Sequence, residues 1–236
     1  MKITIISDLH NKYNRIELSG GDLIICCGDV SSMGYSGEIE IFLNWFNKTN
    51  YRYKVFIAGN HDFYFDYSRE AYTRQGAQRW KNPQYTEEDV SKLLSQYPDI
   101  IYLNDSGCEI EGIKIWGSPI TPWFHDWAFN RLRGEDIKTH WDMIPEDTDI
   151  LITHGPPKGI LDQVGDNYES QGCEHLWNRV LEVNPIIHCF GHIHEGYGAK
   201  EFHGINFINA SALNHRNVYQ NKAIDLILED NIVDFI

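Results

Sequence analysis

Five short polar clusters in this sequence share side chains of the kind that bind metal ions. They are Asp8-Leu9-His10, Gly28-Asp29, Gly59-Asn60-His61-Asp62, His154, and Gly191-His192-Ile193-His194. Leaving His61 and Asp62 aside, they offer two carboxylates, one amide oxygen and four imidazoles. One four- to six-coordinate ion does not need so many donors. Two ions about 3.5–4 Å apart, sharing a carboxylate, use them all. A nitrogen and oxygen set without thiolate suits manganese, iron, zinc or nickel ahead of calcium, which prefers all-oxygen shells. Any one of these histidines alone reads as a surface or hydrogen-bonded residue. Gly59–Asp62 alone reads as a turn, since Gly, Asn and Asp are common turn formers. The metal reading rests on where the clusters fall.

Each cluster directly follows an apolar run of strand length. These runs cover residues 2–7, 22–27, 53–58, 149–153 and 186–190. Between the second and third, Ile39, Phe42, Leu43 and Phe46 recur at i, i+3, i+4 and i+7, the spacing of an amphipathic helix. Thr86 followed by Glu87, Glu88 and Asp89 marks a second helix start, with Val90, Leu93, Leu94 and Tyr97 as its apolar face. A third helix is expected over 173–183, with Leu176, Val180 and Leu181 on one side. Further strands are expected at 100–103, 108–110, 113–116, 205–208, 223–228 and 232–236. Glu111-Gly112 and Asp230-Asn231 are the expected hairpin turns. Residues 63–81 read as loop with some helix, and 121–130 as a loop crowded with Trp123, Phe124, Trp127 and Phe129. Alternating strands and helices predict an α/β fold with a largely parallel sheet, whose sites form outside the carboxyl ends of the strands. No repeat or linker is visible, so one domain over residues 1–236 is expected.

Composition narrows the partners. The 236 residues are 42% hydrophobic and 23% charged, as in an ordinary globular protein. The formal net charge of −14 repels phosphate backbones, which argues against polymeric nucleic acid as partner. No apolar run approaches the roughly 18 residues of a membrane span. The apolar stretch at residues 3–6 is too short for a signal peptide, so the chain is expected to remain uncleaved and cytoplasmic. The five cysteines show no C-x-x-C spacing, and Cys26 and Cys27 sit inside an apolar run, which predicts buried thiols in a reducing compartment.

Taken in order, the five clusters resemble the motif set of the calcineurin-like metallophosphoesterases. The resemblance runs from the first residues to about residue 194. It implies a four-layer α/β/β/α sandwich of two mixed β-sheets flanked by helices, the metallo-dependent phosphatase fold. It also implies a role for each residue. Asp8, His10 and His194 would hold a first metal ion, and Asn60, His154 and His192 a second, with Asp29 bridging them. His61 would face the substrate phosphate, and Asp62 would orient His61 or a nearby group. Residues 149–157, residues 190–198, the aromatic stretch 123–130 and Gly172-Cys173 are similar to the small phosphodiesterases of the metallophosphoesterase-domain-containing subgroup. Some members of that subgroup lack one histidine of the Gly-His-x-His motif; this chain keeps both. The protein Ser/Thr phosphatases of the wider family carry Asp-Arg-Gly shortly after the bridging Asp. Here Asp29 is followed by Val30-Ser31-Ser32-Met33-Gly34, which disfavours that group.

The expected activity is hydrolysis of phosphodiester bonds in small substrates such as cyclic nucleotides, by attack of a hydroxide bridging two transition-metal ions. Manganese is the first expectation, with iron, zinc or nickel as alternatives. His61 is expected to stabilise charge on the phosphate and to donate a proton to the leaving oxygen. A phosphomonoesterase or a nuclease using the same centre are the alternatives, and a scaffold without activity is a further one. Trp123 and Phe124, with Trp127 and Phe129, are candidates to stack a nucleobase, against a core role for the same rings. Arg69, Arg74, Arg79, Arg131 and Arg133 are candidates to contact phosphate, against solvated surface.

Overall fold

The structure is a computed structural model and describes residues 1–67, 85–165 and 167–236. The expected loop over 63–81 therefore lies mostly outside the described residues, together with Arg69, Arg74 and Arg79; only a single helical turn at Phe63–Phe65 is seen of it.

Two six-stranded mixed sheets form the centre. The first holds β1 (Lys2–Ile6), β2 (Gly21–Cys26), β3 (Tyr51–Ile57), β4 (Ile100–Leu103), β15 (Ile224–Glu229) and β16 (Ile232–Phe235), in the order β16-β15-β1-β2-β3-β4. Strands β1 to β4 are parallel, and β15 and β16 add antiparallel pairings at one edge. The second holds β5 (Ser106–Ile110), β6 (Ile113–Ser118), β9 (Ile150–Thr153), β12 (Ile187–Phe190), β13 (Gly198–Phe202) and β14 (Ile205–Asn209), in the order β13-β14-β12-β9-β6-β5. Its four inner strands are parallel and its edges antiparallel. Two ribbons complete the strands: β7 (Thr121–Pro122) with β8 (Asn130–Arg131), and β10 (Gln163–Val164) with β11 (Glu169–Ser170).

Strand alternation decides which side chains each layer buries. Ile3 and Ile5, Leu23 and Ile25, and Val55 and Ile57 point into the space between the sheets. Ile150 and Ile152, Ile187 and Cys189, and Ile208 meet them from the other side. The intervening residues face outward, to the helices. Helix α1 (Ser36–Asn47) lays Ile39, Phe42, Leu43 and Phe46 on the first sheet, with Phe42 5.6 Å from Phe56 between ring centroids. Helix α2 (Glu87–Leu94) adds Val90 and Leu93. Helices α3 (Glu135–Trp141) and α4 (Glu174–Val183) cover the second sheet, where Trp177 lies 6.1 Å from Phe207. This is the four-layer α/β/β/α arrangement. Truncating one of these buried aromatics would cost about 3–5 kcal/mol, since the close-packed layers cannot collapse around the gap.

Local chemistry sets the boundaries. Thr86 caps α2, accepting from the Asp89 N–H at 3.2 Å while the Asp89 carboxylate accepts from the Thr86 N–H at 2.9 Å. Glu111 and Gly112 both take positive φ, as do Asp230 and Asn231, which suits the twist of two-residue hairpins. One expectation fails at α4. Val183, not Leu181, joins Leu176 and Val180 in the core, and Leu181 is exposed. At seven residues from Leu176, Val183 returns to the buried side of the 3.6-residue period. The expected aromatic loop over 121–130 is instead bounded by the β7–β8 ribbon, and Phe129 is buried within it.

Candidate metal centre

Strands β1, β2 and β3 are parallel neighbours, so the residues beyond their carboxyl ends emerge side by side. Asp8 and His10, Asp29, and Asn60 with His61 all lie there. Strands β9 and β12 do the same for His154, and for His192 with His194. Because the sheets are stacked, the two sets meet at one end of the sandwich. His194 Nε2 lies 3.4 Å from Asp8 Oδ1, and His154 Nε2 lies 3.4 Å from Asp29 Oδ1. His10 Nε2 is 3.5 Å from Asp29 Oδ2, and Asn60 Oδ1 is 2.9 Å from His154 Nε2. Three groups bring one ligand atom per residue within 4.8 Å of each other: Asp8–His10–His194, His10–Asp29–His61 and Asp8–Asp29–His154. His192 stands beside them, its ring 5.0 Å from that of His154.

The backbone turns sharply to present these groups. Asp8, His10, Asp29 and His192 all adopt positive φ, between 40° and 66°. Asp, Asn and His tolerate this region better than most residues, yet each such position costs of order 1 kcal/mol or more. The glycines in the motifs answer a different need, close approach. A Cβ on Gly59 would sit 2.3 Å from Asp29 Oδ1, and one on Gly191 would sit 2.1 Å from Asp8 Oδ2. Asp62 is fully buried and clamps the loops. Its carboxylate accepts the Gly59 N–H at 2.8 Å, the Val30 and Ser31 N–H groups at 3.1 and 2.9 Å, and the Ser31 hydroxyl at 2.6 Å. Of the two orienting roles expected of Asp62, these bonds serve the nearby loops. Burial, with Asp29 adding its charge, pushes the Asp62 carboxyl up to about 6.

Two of the imidazoles are aimed by the nitrogen that does not face the carboxylates. His154 Nδ1 donates to the Cys27 carbonyl at 2.8 Å, and His194 Nδ1 to the Asn214 carbonyl at 2.9 Å. Their Nε2 atoms are thereby left for the centre. Burial by itself would raise Asp8 and lower His194, but their pairing wins, holding Asp8 below the usual carboxylate range and His194 up to about 9. Asp29 and His154 show the same opposition, with Asp29 held low and His154 up to about 9. His10 differs: burial dominates and pushes it down to about 4. Its Nε2 is buried with no hydrogen-bond partner among the described residues, an exception that native interiors rarely leave unexplained. An orphaned imidazole nitrogen beside two ionised, buried carboxylates is a donor set that fits a cation. Nitrogen and oxygen donors without thiolate fit transition-metal ions.

Several contributing residues escape a reading of motifs. The Ser211 hydroxyl donates to Asp8 Oδ2 at 2.7 Å. Asn209 bonds the Ile193 carbonyl at 2.8 Å, steadying the chain between His192 and His194. Asn209-Ala210-Ser211 closes β14 much as the other clusters close their strands, and that was the available signal. Asn214 and Ser32 act through backbone carbonyls, which no residue type betrays.

A cleft of about 400 Å³ opens over the centre, lined by His10, Asp29, Asn60, His61, His192 and His194, and walled by Phe124 and Trp127. His61 Nδ1 donates to the Ser32 carbonyl at 2.8 Å. A second cavity of about 580 Å³ adjoins, sharing Glu195 and His215 with the first and reaching Tyr168, Tyr197 and Lys200. Of the expected substrate-binding residues, His61 and Phe124 line the cleft. Trp123 does not; it is exposed, with its indole N–H donating to Asp126 at 2.7 Å. Arg131 is buried and donates to the Asn130 carbonyl and His140, each at 3.0 Å, while Arg133 donates to the Gly172 and Gln171 carbonyls. Neither lines the cleft.

The comparisons with known proteins agree with this geometry. Over 235 residues the chain is 38% identical to the human metallophosphoesterase domain-containing protein 1, covering 95% of this chain and 71% of that one. It is 34% identical over 224 residues to the UPF0046 protein K07C11.7 of Caenorhabditis elegans, covering 95% and 74% respectively. The solved structure of the Thermus thermophilus protein TT1561 shares the fold with a TM-score of 0.63 at 14% identity, over 99% of this chain and 97% of that one. The family model for the calcineurin-like phosphoesterases matches residues 1–196, and the chain belongs to that family.

Proposed function

We propose that this member of a family of metal-dependent phosphoester hydrolases is a phosphodiesterase of small substrates, cyclic nucleotides among them. One observation carries the reading: the cleft over the centre shares Glu195 and His215 with a second, adjoining cavity. A phosphodiester has two organic arms, and the adjoining cavity offers room for the second. A phosphomonoester, with one organic arm, does not need both spaces.

In this reading Asp8, His10 and His194 would hold one ion and Asn60, His154 and His192 the other, with Asp29 shared between them. Manganese is the expected metal, with iron, zinc or nickel as alternatives. When bound, the ions supply positive charge that offsets that of the phosphate, and they lower the pKa of water to about 7 so that a nucleophile exists near neutral pH. The protein supplies the rest. Asn60 contributes a neutral donor where a third carboxylate would add negative charge beside Asp29. Ser32 commits Nδ1 of His61 as a donor, which leaves Nε2 to meet the phosphate. From there a protonated His61 hydrogen-bonds an equatorial oxygen and passes its Nε2 proton to the leaving oxygen. Asp62 keeps the Asp29 and Asn60 loops in register, and Phe124 forms the apolar wall of the cleft. The acidic surface favours small substrates over polymeric nucleic acid. One domain and a cytoplasmic setting complete the proposal.

The test is turnover of bis-aryl and mono-aryl phosphates by manganese-loaded protein. The diester should have the higher kcat/KM, by tenfold or more. A preference for the monoester would replace this reading with a phosphomonoesterase.

A further inference from the structure

The aromatic segment between β7 and β8 reaches the centre through Trp127. The Trp127 indole lies over the His61 imidazole, with ring centroids 4.1 Å apart and an interplanar angle of 31°. The His61 ring also makes an edge contact with the His10 ring, nearly perpendicular, with centroids 4.5 Å apart. Its Nδ1 is tied to the Ser32 carbonyl at 2.8 Å. The imidazole is therefore held at a face, an edge and one nitrogen.

The segment carrying Trp127 is itself anchored to the loops of the centre. The Ala128 N–H donates to the Asn60 carbonyl at 3.1 Å, and the Phe129 N–H donates to the Asp66 carboxylate at 3.0 Å. Asn60 precedes His61, so one hydrogen bond links the residue beside Trp127 to the residue beside its stacking partner. Asn130 adds a bond from its side-chain oxygen to the Phe124 N–H at 2.8 Å, and its amide donates to Thr121 at 2.9 Å. The ring is thus built on a braced loop, and it lines the same cleft as His61.

We propose that Trp127 is a positioning residue: it fixes the plane of His61 so that Nε2 points at the leaving oxygen of the substrate. This rests on the phosphodiesterase reading above. A freely rotating imidazole would spend little time aligned for proton transfer, and small misplacements of a catalytic group are costly in rate. Trp127, not Trp123, is then the tryptophan of this segment that matters to the chemistry, and its role is toward the protein's own histidine.

The experiment is a double-mutant cycle with two readouts. Trp127→Leu should lower kcat about tenfold, with KM within about twofold and manganese content unchanged. The loss should be larger for an alkyl leaving group, which needs a proton, than for p-nitrophenolate, which does not. In a His61→Ala background Trp127→Leu should have no further effect on kcat; with His61 intact, Trp127→Phe should keep most of the activity. In the metal-free protein, removing the indole should shift the His61 ring-proton resonances downfield by loss of its ring current. Should Trp127→Leu not fold, Trp127→Met serves in the same cycle. An active wild type whose kcat is matched by Trp127→Leu, or an equal loss with and without His61, overturns this inference alone. A manganese-loaded wild type that hydrolyses no aryl ester overturns the phosphodiesterase reading along with it.

Discussion

The carboxylate of Asp8, just past β1, accepts the backbone N–H of His192, just past β12, at 3.1 and 3.0 Å for its two oxygens. The residues are 184 positions apart and belong to different sheets. One side chain thus serves two purposes. It lies among the candidate ligands of the centre, and it pins the second sheet's histidine loop to the first sheet. Gly191 makes the approach possible, since any Cβ there would collide with the same carboxylate and with Ser7.

Ser211 completes that arrangement by donating to Asp8 Oδ2. Supporting hydrogen bonds of this kind are typically worth roughly 10–100-fold in metal affinity or activity. Ser211→Ala should weaken manganese binding by that factor while leaving the fold intact, because the side chain removed is small. Calorimetric titration of the metal-free protein measures it. An affinity equal to the wild type would mean that Asp8 is held adequately by the His192 amide alone.

Asp29 sits between the two histidine groups, within 3.5 Å of His10 and 3.4 Å of His154. Asp29→Asn should therefore lose metal from the whole centre, not from one half, and reduce hydrolysis by about 100-fold or more, an estimate from the loss of a first ligand relative to its supporting contacts. Elemental analysis after reconstitution gives the count. Retention of two ions per chain would remove Asp29 from its bridging role. The same loss should appear in stability. Metal at about 100 times its Kd adds about 2.7 kcal/mol to the folded state, so a chelator should lower the wild-type Tm by several degrees and that of Asp29→Asn by much less.

His188 offers a pH prediction away from the ligands. It is fully buried on β12, and its Nε2 hydrogen-bonds Thr153 Oγ1 at 2.8 Å. That hydroxyl donates to the Gly155 carbonyl, so it accepts from Nε2–H, and Nδ1 is left without a partner among the described residues. Protonating Nδ1 would bury an unpaired donor, and burial pushes His188 down from 6.5 to about 3. Between those two values the unfolded chain takes up a proton that the folded chain does not. Stability from this group is therefore full above about pH 6.5 and declines as pH falls toward about 3. From about pH 7 to about pH 5 the decline amounts to about 2 kcal/mol. In chelator, urea unfolding of His188→Gln should show a correspondingly smaller loss between those pH values. Identical pH slopes for variant and wild type would contradict it.

Local physics is legible in the residues themselves. Strand runs, the i, i+3, i+4, i+7 face of α1, the Thr86 cap and the hairpin turns depend on neighbours within a few residues, and the structure bears them out. So does the position of the metal-binding types at strand ends, because a parallel α/β sheet sends those ends to one edge. The division into two mixed sheets was legible only through the family resemblance, and the strand order and parallel core of the second sheet not at all, since pairing between β6, β9, β12 and β14 joins segments tens of residues apart.

What the tertiary structure alone decided is which partners those ends acquire. Periodicity says that Asp8 leaves a buried strand; it cannot say that Ser211 and the His192 amide will hold its oxygens. Composition says that four aromatic rings crowd the segment after β7; only packing separates Trp123, turned to solvent, from Trp127, laid on His61. The physical reason is the same in both cases. A residue's type and spacing determine the face it presents and what it can bond, whereas the stacking of two sheets, which closes contacts across nearly two hundred residues, determines what it meets.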